Sequence, residues 1–308
     1  MPKPRISKPG AERRRFTPDV ILTFRVDEGM PLRLLEFLQA AMPDRKRTTV
    51  KDFLKHNQVM VEGQVSRQWD LELRPGDTVK VNTSREFQTF RNPRLQIVYE
   101  DDHIIVVEKG YGLLSVGTDT KHEGTAYWLL RDYVKRVDPR NKIFIVHRLD
   151  QHTSGLMMFA KTEEAKRAMQ HNWNNMVIER TYTAIVEGRP DPPEGKIESN
   201  LAENAAHEMY STGRDDVGQH AVTYYRTLRT RGPYSMVELK LATGRKNQIR
   251  VHMKDLGHPI AGDRRYGAAT SPIRRLALHA ATLRFIHPVT RRDMNFSSRL
   301  PAAFNRLV

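Results

Sequence analysis

The residues best equipped for chemistry lie between Ile143 and Lys161, in the run IFIVHRLDQHTSGLMMFAK. The apolar stretches Ile143 to Val146 and Leu156 to Ala160 each read as a buried strand, with a polar loop between them. The loop carries His147, Arg148, Asp150, His152 and Thr153 and closes on Ser154-Gly155. A carboxylate held between buried strands is costly to ionise unless it has a partner or a task. Given a task, it can act as a nucleophile or a general base. By spacing alone, an Asp in such a loop is most often a turn residue that bonds its own backbone. A second run, Thr243-Gly244-Arg245-Lys246-Asn247-Gln248-Ile249-Arg250-Val251-His252, supplies cations. The spacing of Ile249, His252, Met253 and Leu256 predicts a helix from about Asn247, stopped at Gly257 before Pro259. A third, Arg180 to Gly188, alternates as a strand with Tyr182, Ala184 and Val186 on one face.

Composition narrows the partners. The net charge is +15 over 308 residues. That balance favours a polyanion bound through phosphate contacts, hence a nucleic acid. There is no cysteine, which removes disulfides, thiolate nucleophiles and thiolate zinc sites. The 12 histidines show no HExxH spacing, and neither a phosphate-binding GxxxxGK[ST] loop nor a GxGxxG after a strand is present. No metal and no cofactor are expected. No apolar run approaches the ~18 residues of a membrane span. The basic N-terminus lacks the apolar segment of a secretory signal, so a cytoplasmic protein is expected.

The elements that must position these residues fall into blocks. Residues 1–19 hold six Lys/Arg up to Pro18 and are expected to be a disordered basic arm. Residues 20–83 read as a small module. Helical spacing at Leu34, Leu35 and Leu38 is followed by a second helix from Thr49, with Thr as its cap, then by strands at Val59 to Val65 and after Arg74-Pro75-Gly76. Residues 84–93 are expected to link this module to a second domain over 94–308. In the latter, Leu95 to Val107 is strand-rich, and Thr125 to Val137 is helical with a basic end. Ala165, Met169, Trp173 and Met176 form a core stripe on a helix capped by Thr162. Residues 189–220 look like an insertion or a long hairpin.

Resemblance ties the motifs together. His147-Arg148-Leu149-Asp150 followed by Thr153-Ser154-Gly155-Leu156 resembles the signature of the RluA-type RNA pseudouridine synthases. So do the Tyr-x-Ala strand at Tyr182 and the run Thr243 to His252. His258-Pro259, Gly262-Asp263, Tyr266-Gly267 and Leu278-His279-Ala280 follow in order. The likeness runs from about residue 95 to residue 300. The chain departs from the family at two places: Gly110 stands where a Lys-Pro-x-Gly run has Pro, and Asn247 stands where His is usual. We read the first as a more flexible loop. Residues 20–83 resemble the S4 RNA-binding module.

The resemblance implies an α+β pseudouridine synthase fold on a mixed, largely antiparallel sheet, preceded by a small S4-like α+β domain. It implies an enzyme that isomerises uridines in RNA to pseudouridine, with 23S ribosomal RNA the first expected substrate and transfer RNA the second. Asp150 is expected to be the catalytic carboxylate, with Arg250 as its cationic partner and Arg245 as the alternative. Tyr182 is expected to stack on the uracil, and Arg148 to fill the gap that the target base leaves. His147, Thr153, Arg245 and Gln248 are expected to bind substrate. Arg33, Arg45, Lys46, Arg47, Lys51 and Lys55 are expected to bind RNA. A monomer is expected. A noncatalytic RNA-binding factor and a metal-dependent nuclease are the competing classes.

Overall fold

The structure is a computed structural model that describes residues 20–87, 89–117, 122–214 and 216–308. The expected basic arm at 1–19 lies outside the described residues. By its internal contacts the chain divides between Thr89 and Phe90. The stretch expected as a linker is thus shared out. Phe87 donates its N–H to Asn57 of the first unit, whereas Phe90 packs edge-on against Tyr133 of the second. Among the described residues no helix is long and apolar enough to cross a membrane.

The first unit runs β1 (Ile21–Arg25), α1 (Leu34–Ala41), α2 (Arg47–Lys55), β2 (Val59–Val61), β3 (Gln64–Val65) and β4 (Thr78–Asn82). Its antiparallel sheet has the order β1-β4-β2-β3. Leu34, Leu35, Phe37 and Leu38 of α1 bury against Val50, Phe53 and Leu54 of α2 and Val79 and Val81 of β4. α2 begins two residues before Thr49, with Lys46 at its N-cap and no side-chain cap.

The second unit continues with β5 (Leu95–Glu100), β6 (Ile104–Lys109), α3 (Ala126–Val137), β7 (Phe144–Ile145), β8 (Ser154–Ala160), α4 (Glu163–His171) and α5 (Trp173–Met176). Then come β9 (Val177–Glu187), β10 (Glu194–Glu203), β11 (Met209–Thr212), β12 (Gln219–Arg231), β13 (Tyr234–Leu241), α6 (Gln248–Asp255), β14 (Leu278–Ile286), β15 (Asp293–Ser297) and α7 (Ala302–Leu307). Among the described residues eleven strands form one sheet whose main path is β11-β10-β12-β13-β9-β14-β8-β6-β5. Every pair is antiparallel except β8 with β14. This is the expected α+β, largely antiparallel architecture.

β8 is buried at all seven positions because both of its faces are covered. Met157 and Phe159 enter one core with Leu130 and Val134 of α3. Leu156, Met158 and Ala160 enter another with Ala165 and Met169 of α4. A period of two thus feeds two cores, and each fully buried Leu or Phe contributes roughly 1.5–3 kcal/mol.

Two expectations, for Ile143 and for Gly110, need correction. The apolar run at Ile143 yields only the two-residue, half-buried β7, since the chain turns away to reach the loop. Residues 189–220 take the hairpin form that was one of the two expectations: β10 pairs antiparallel with β11 and with the start of β12, and they extend the sheet. Gly110 is tied down, not loose. Its N–H donates to the Arg94 carbonyl at 2.7 Å, and a Cβ there would lie 3.0 Å from the same oxygen. Gly155 is the more constrained glycine. At φ +113 it lies so close to β14 that a Cβ would overlap the Ala280 carbonyl oxygen and come within 2.6 Å of its nitrogen.

Two substitutions test this account by urea denaturation. Gly155→Ala should destabilise the chain by about 3 kcal/mol or more, because strain at φ > 0 and a backbone clash coincide. Gly110→Pro restores the Pro of the motif that this stretch resembles, yet it should cost about 1–3 kcal/mol by removing the half-buried N–H that the Arg94 carbonyl accepts.

Candidate active site

A cleft of about 400 Å³ opens in the second unit. All eight residues expected at the chemical centre line it: His147, Arg148, Asp150, Thr153, Tyr182, Arg245, Gln248 and Arg250. They come from three places in the sheet. Tyr182 of β9 pairs with Ala280 of β14, and Ala280 pairs in turn with Gly155 of β8. One lateral row therefore fixes the phenol relative to the loop that leads into β8. On its other side Tyr182 pairs with Leu239 of β13, and β13 runs out into the Thr243–Arg250 turn and helix.

The Asp150 loop is braced on both sides of the carboxylate. Before it, the buried Ser115 hydroxyl donates to the Leu149 carbonyl at 2.6 Å and accepts the Leu149 N–H at 3.2 Å. After it, the Gln151 carbonyl accepts from the Gly112 N–H at 3.0 Å and from Lys109 Nζ at 3.2 Å. Thr153 is buried, and its N–H closes the turn onto the Asp150 carbonyl at 3.1 Å. Asp150 is thus a turn residue, as spacing alone suggests. It also lines the cleft.

Burial raises the Asp150 pKa, while the charges of Arg250, Arg148 and Lys109 pull it down and Asp263 pushes it up. A raised carboxylate is a better base than a free one. Lys109 is fully buried. Burial lowers its pKa to about 7, against the opposing pull of Asp150. Tyr182 is pushed up, first by burial and then by Asp150, so its phenol stays protonated and is a poor base for a C5 proton.

Arg250 of α6 donates Nε and Nη2 to the two oxygens of Asp263, both at 2.7 Å. Its guanidinium lies over the Tyr266 ring, 4.6 Å from the centroid. Arg250 is also the largest charge opposing the burial of Asp150. Arg245, the alternative partner, is exposed and donates Nε to the His220 carbonyl at 3.0 Å, away from that role. Gln248 also departs from expectation. Its amide oxygen accepts from the Thr243 hydroxyl and the Arg245 N–H, and its amide nitrogen donates to the Val222 carbonyl and the Thr223 hydroxyl. Both ends being engaged, it holds the turn to β12 and is not free to reach a substrate. Arg148 is exposed at the mouth. The His147 ring is neutral: its Nε2 accepts the Met158 N–H at 3.0 Å, and burial lowers its pKa to about 3 with help from Arg180.

The motifs did not point to Ser115, Arg180 or Trp173. Trp173, expected in the core stripe, does pack against the core of Ala165, Met169 and Met176, but the helix breaks at Asn172 and the half-buried residue also lines the cleft. The Arg180 guanidinium lies 5.2 Å over the Trp173 ring and approaches Gly244 so closely that a Cβ there would meet it at 3.1 Å. The available signal was period two, which puts Arg180 on the face of Tyr182. Lys109, Asp263 and Tyr266 stood in recognised motifs, but a motif does not say which charge meets which.

Three histidine rings, two of them buried and His147 half-buried, set an acid limit. Burial lowers His147 to about 3, and His252 and His279 to about 4. Unfolded, each would take a proton near ~6.5. Below that pH the unfolded chain binds more protons, so this stability is present above 6.5 and lost as pH falls toward 4. The denaturation midpoint should therefore drop steeply between pH 6.5 and 4, and His279→Gln should flatten that drop.

The comparisons agree with the geometry. A sequence profile described as RNA pseudouridylate synthase matches residues 103–255. The chain is 34% identical over 289 residues to an uncharacterised RNA pseudouridine synthase, YlyB, of Bacillus subtilis, covering 92% of this chain and 95% of that one. It is 33% identical over 301 residues to ribosomal large subunit pseudouridine synthase D of Xanthomonas campestris, covering 92% and 89%. The solved structure of human RNA pseudouridylate synthase domain containing 4 is similar at a TM-score of 0.56 and 26% identity, over 68% of this chain and 90% of that one. With the carboxylate loop, the Tyr-x-Ala strand and the arginine helix gathered on one cleft, the chain belongs to the RluA family of RNA pseudouridine synthases.

Proposed function

We propose that this pseudouridine synthase acts on large-subunit (23S) ribosomal RNA, with transfer RNA the second candidate, and that Asp150 carries the reaction. The observation that supports this most is the half-buried Asp150 carboxylate in the cleft, its charge opposed by burial and favoured by Arg250, Arg148 and Lys109. The reaction breaks the bond from C1′ to N1, turns the uracil and joins C1′ to C5; the C5 proton is lost and N1 gains one. Asp150 serves at the sugar, as nucleophile on C1′ or as base at C2′. Arg250 supports its ionised form. Tyr182 stacks on the uracil as a neutral ring. Arg148 fills the space that the target base leaves, offsetting an unstacking cost of roughly a few kcal/mol. Arg180, carried on Trp173 at the cleft wall, takes a phosphate of the same strand.

Relatives named for the large ribosomal subunit support the choice of RNA. We assign residues 20–83 to an S4-like RNA-binding domain, 94–308 to the catalytic domain, and the protein to a cytoplasmic monomer. Arg33, Arg45, Lys46, Arg47, Lys51 and Lys55 are all exposed. Arg47, Lys51 and Lys55 recur every fourth residue along α2. Lys46 and Arg47 sit at the helix start, where the helix dipole disfavours cations but its free N–H groups suit phosphate.

Tritium release from RNA labelled at uridine C5 tests the reaction. Wild type should release tritium from ribosomal RNA, and Asp150→Asn should lower the rate by about 10³-fold or more while RNA binding persists. Wild-type binding without release from either RNA or from ribosomal subunits would instead support the noncatalytic class. Arg180→Gln should weaken RNA binding, and the slope of log K on log salt should become shallower by about 0.7, the change for one phosphate on a single strand.

A further inference from the structure

We propose that Asn247 is the positioning residue for Arg250, fixing which guanidinium N–H groups face the cleft. This rests on the catalytic reading of Asp150 and Arg250. Asn247 is the N-cap of α6, 8% exposed, with φ 53 and ψ 17 in the left-handed region. An Asn at an N-cap ordinarily accepts a backbone N–H of the first turn. Here no such cap bond forms. The side-chain oxygen instead accepts from Arg250 Nη1 at 3.0 Å, and the side-chain nitrogen donates to the Tyr266 hydroxyl oxygen at 3.0 Å. The partners dictate this amide orientation, since a guanidinium can only donate.

One amide thus holds both the cation and the ring that covers it. The Tyr266 hydroxyl oxygen also accepts the Met209 N–H at 3.2 Å, which anchors the ring to β11. Asp263 grips Nε and Nη2. Two contacts on one edge leave the guanidinium free to pivot about that edge. The third contact at Nη1, with a ring across the face, removes the pivot. Three of the five guanidinium N–H groups are then engaged, and two remain, one on each terminal nitrogen. A carboxylate at 247 could not replace the amide. It would place a second anion beside Asp263, which already opposes ionisation of Asp150.

Neutral imidazole offers the same pair, one accepting and one donating nitrogen, and His is tolerated in the left-handed region. Protonated imidazole offers only donors, facing the Arg250 cation beside Asp263 and Tyr266. The test therefore measures kcat and KM for RNA in Asn247→Gly, Arg250→Gln, the double variant and Asn247→His. Glycine keeps the backbone conformation and removes the amide. Asn247→Gly should lower kcat about 10- to 100-fold through misplacement of the cation. Adding it to Arg250→Gln should cost little more, because the two act as a unit. Asn247→His should be near wild type at pH 8 and lose activity as the ring is protonated, a step absent from the wild-type profile. Should Asn247→Gly not fold, Asn247→Asp serves in its place and should lower kcat while moving the profile to higher pH. An unchanged kcat in Asn247→Gly beside an impaired Arg250→Gln, additive losses in the double variant, or a wild-type profile for Asn247→His would overturn the proposal. An unimpaired Arg250→Gln would overturn the catalytic reading and this proposal with it.

Discussion

The active cleft depends on one close approach, that of Gly155 to the Ala280 backbone, where β8 and β14 run parallel. Elsewhere the sheet is joined by antiparallel pairs, so this contact unites two antiparallel halves. One half brings the Asp150 loop and the other brings Tyr182 and the arginine helix. The pair stays registered through a buried polar cluster. The Ser154 hydroxyl lies 2.9 Å from His279 Nδ1, Arg275 donates to the same hydroxyl at 2.6 Å, and His279 Nε2 lies 2.8 Å from the Ser298 hydroxyl. Buried polar groups satisfied in this way specify one register where apolar strands could slip.

Charge is organised around the same point. Asp150 and Lys109 are each disfavoured as ions by burial, and each favours the charge of the other. Arg250 adds the larger stabilisation, yet its edge contacts go to Asp263 and Asn247. An Arg bound directly to Asp150 would mask the carboxylate. Held by other residues, it lends charge to Asp150 while its own N–H groups are engaged elsewhere. The same economy holds at Arg180, which rests on an indole face and on the flat surface of Gly244. Stacking keeps a guanidinium in place without consuming its N–H groups.

The two departures from the usual motifs are each absorbed locally. Gly110 supplies an N–H that Pro lacks, and the Arg94 carbonyl takes it. Asn247 adopts a left-handed conformation and offers an acceptor and a donor at once, as a neutral imidazole would. Neither adjustment is visible from the motif alone. Each becomes intelligible only through a partner distant in the chain: Arg94 for Gly110 and Tyr266 for Asn247.

The sequence by itself determined many of the elements and the eight residues expected at the cleft, but not Arg180 or Trp173 beside them. The apolar run of β8, the alternation around Tyr182 and the helical spacing after Asn247 are local signals, dictated by periods of 2 and 3.6. The ordered motifs then brought Asp150, Tyr182 and Arg250 to one family and one cleft. Only the tertiary structure decided the pairings. It gave Arg250 to Asp263 and Asn247, turned Gln248 into a brace, set Trp173 between the core and the cleft wall, and drew residues 189–220 into the sheet. Hydrogen bonds and Coulomb interactions depend on distance in space, and strands far apart in sequence set that distance. Composition and periodicity record which side chains want burial or charge, whereas sheet register decides which of them meet.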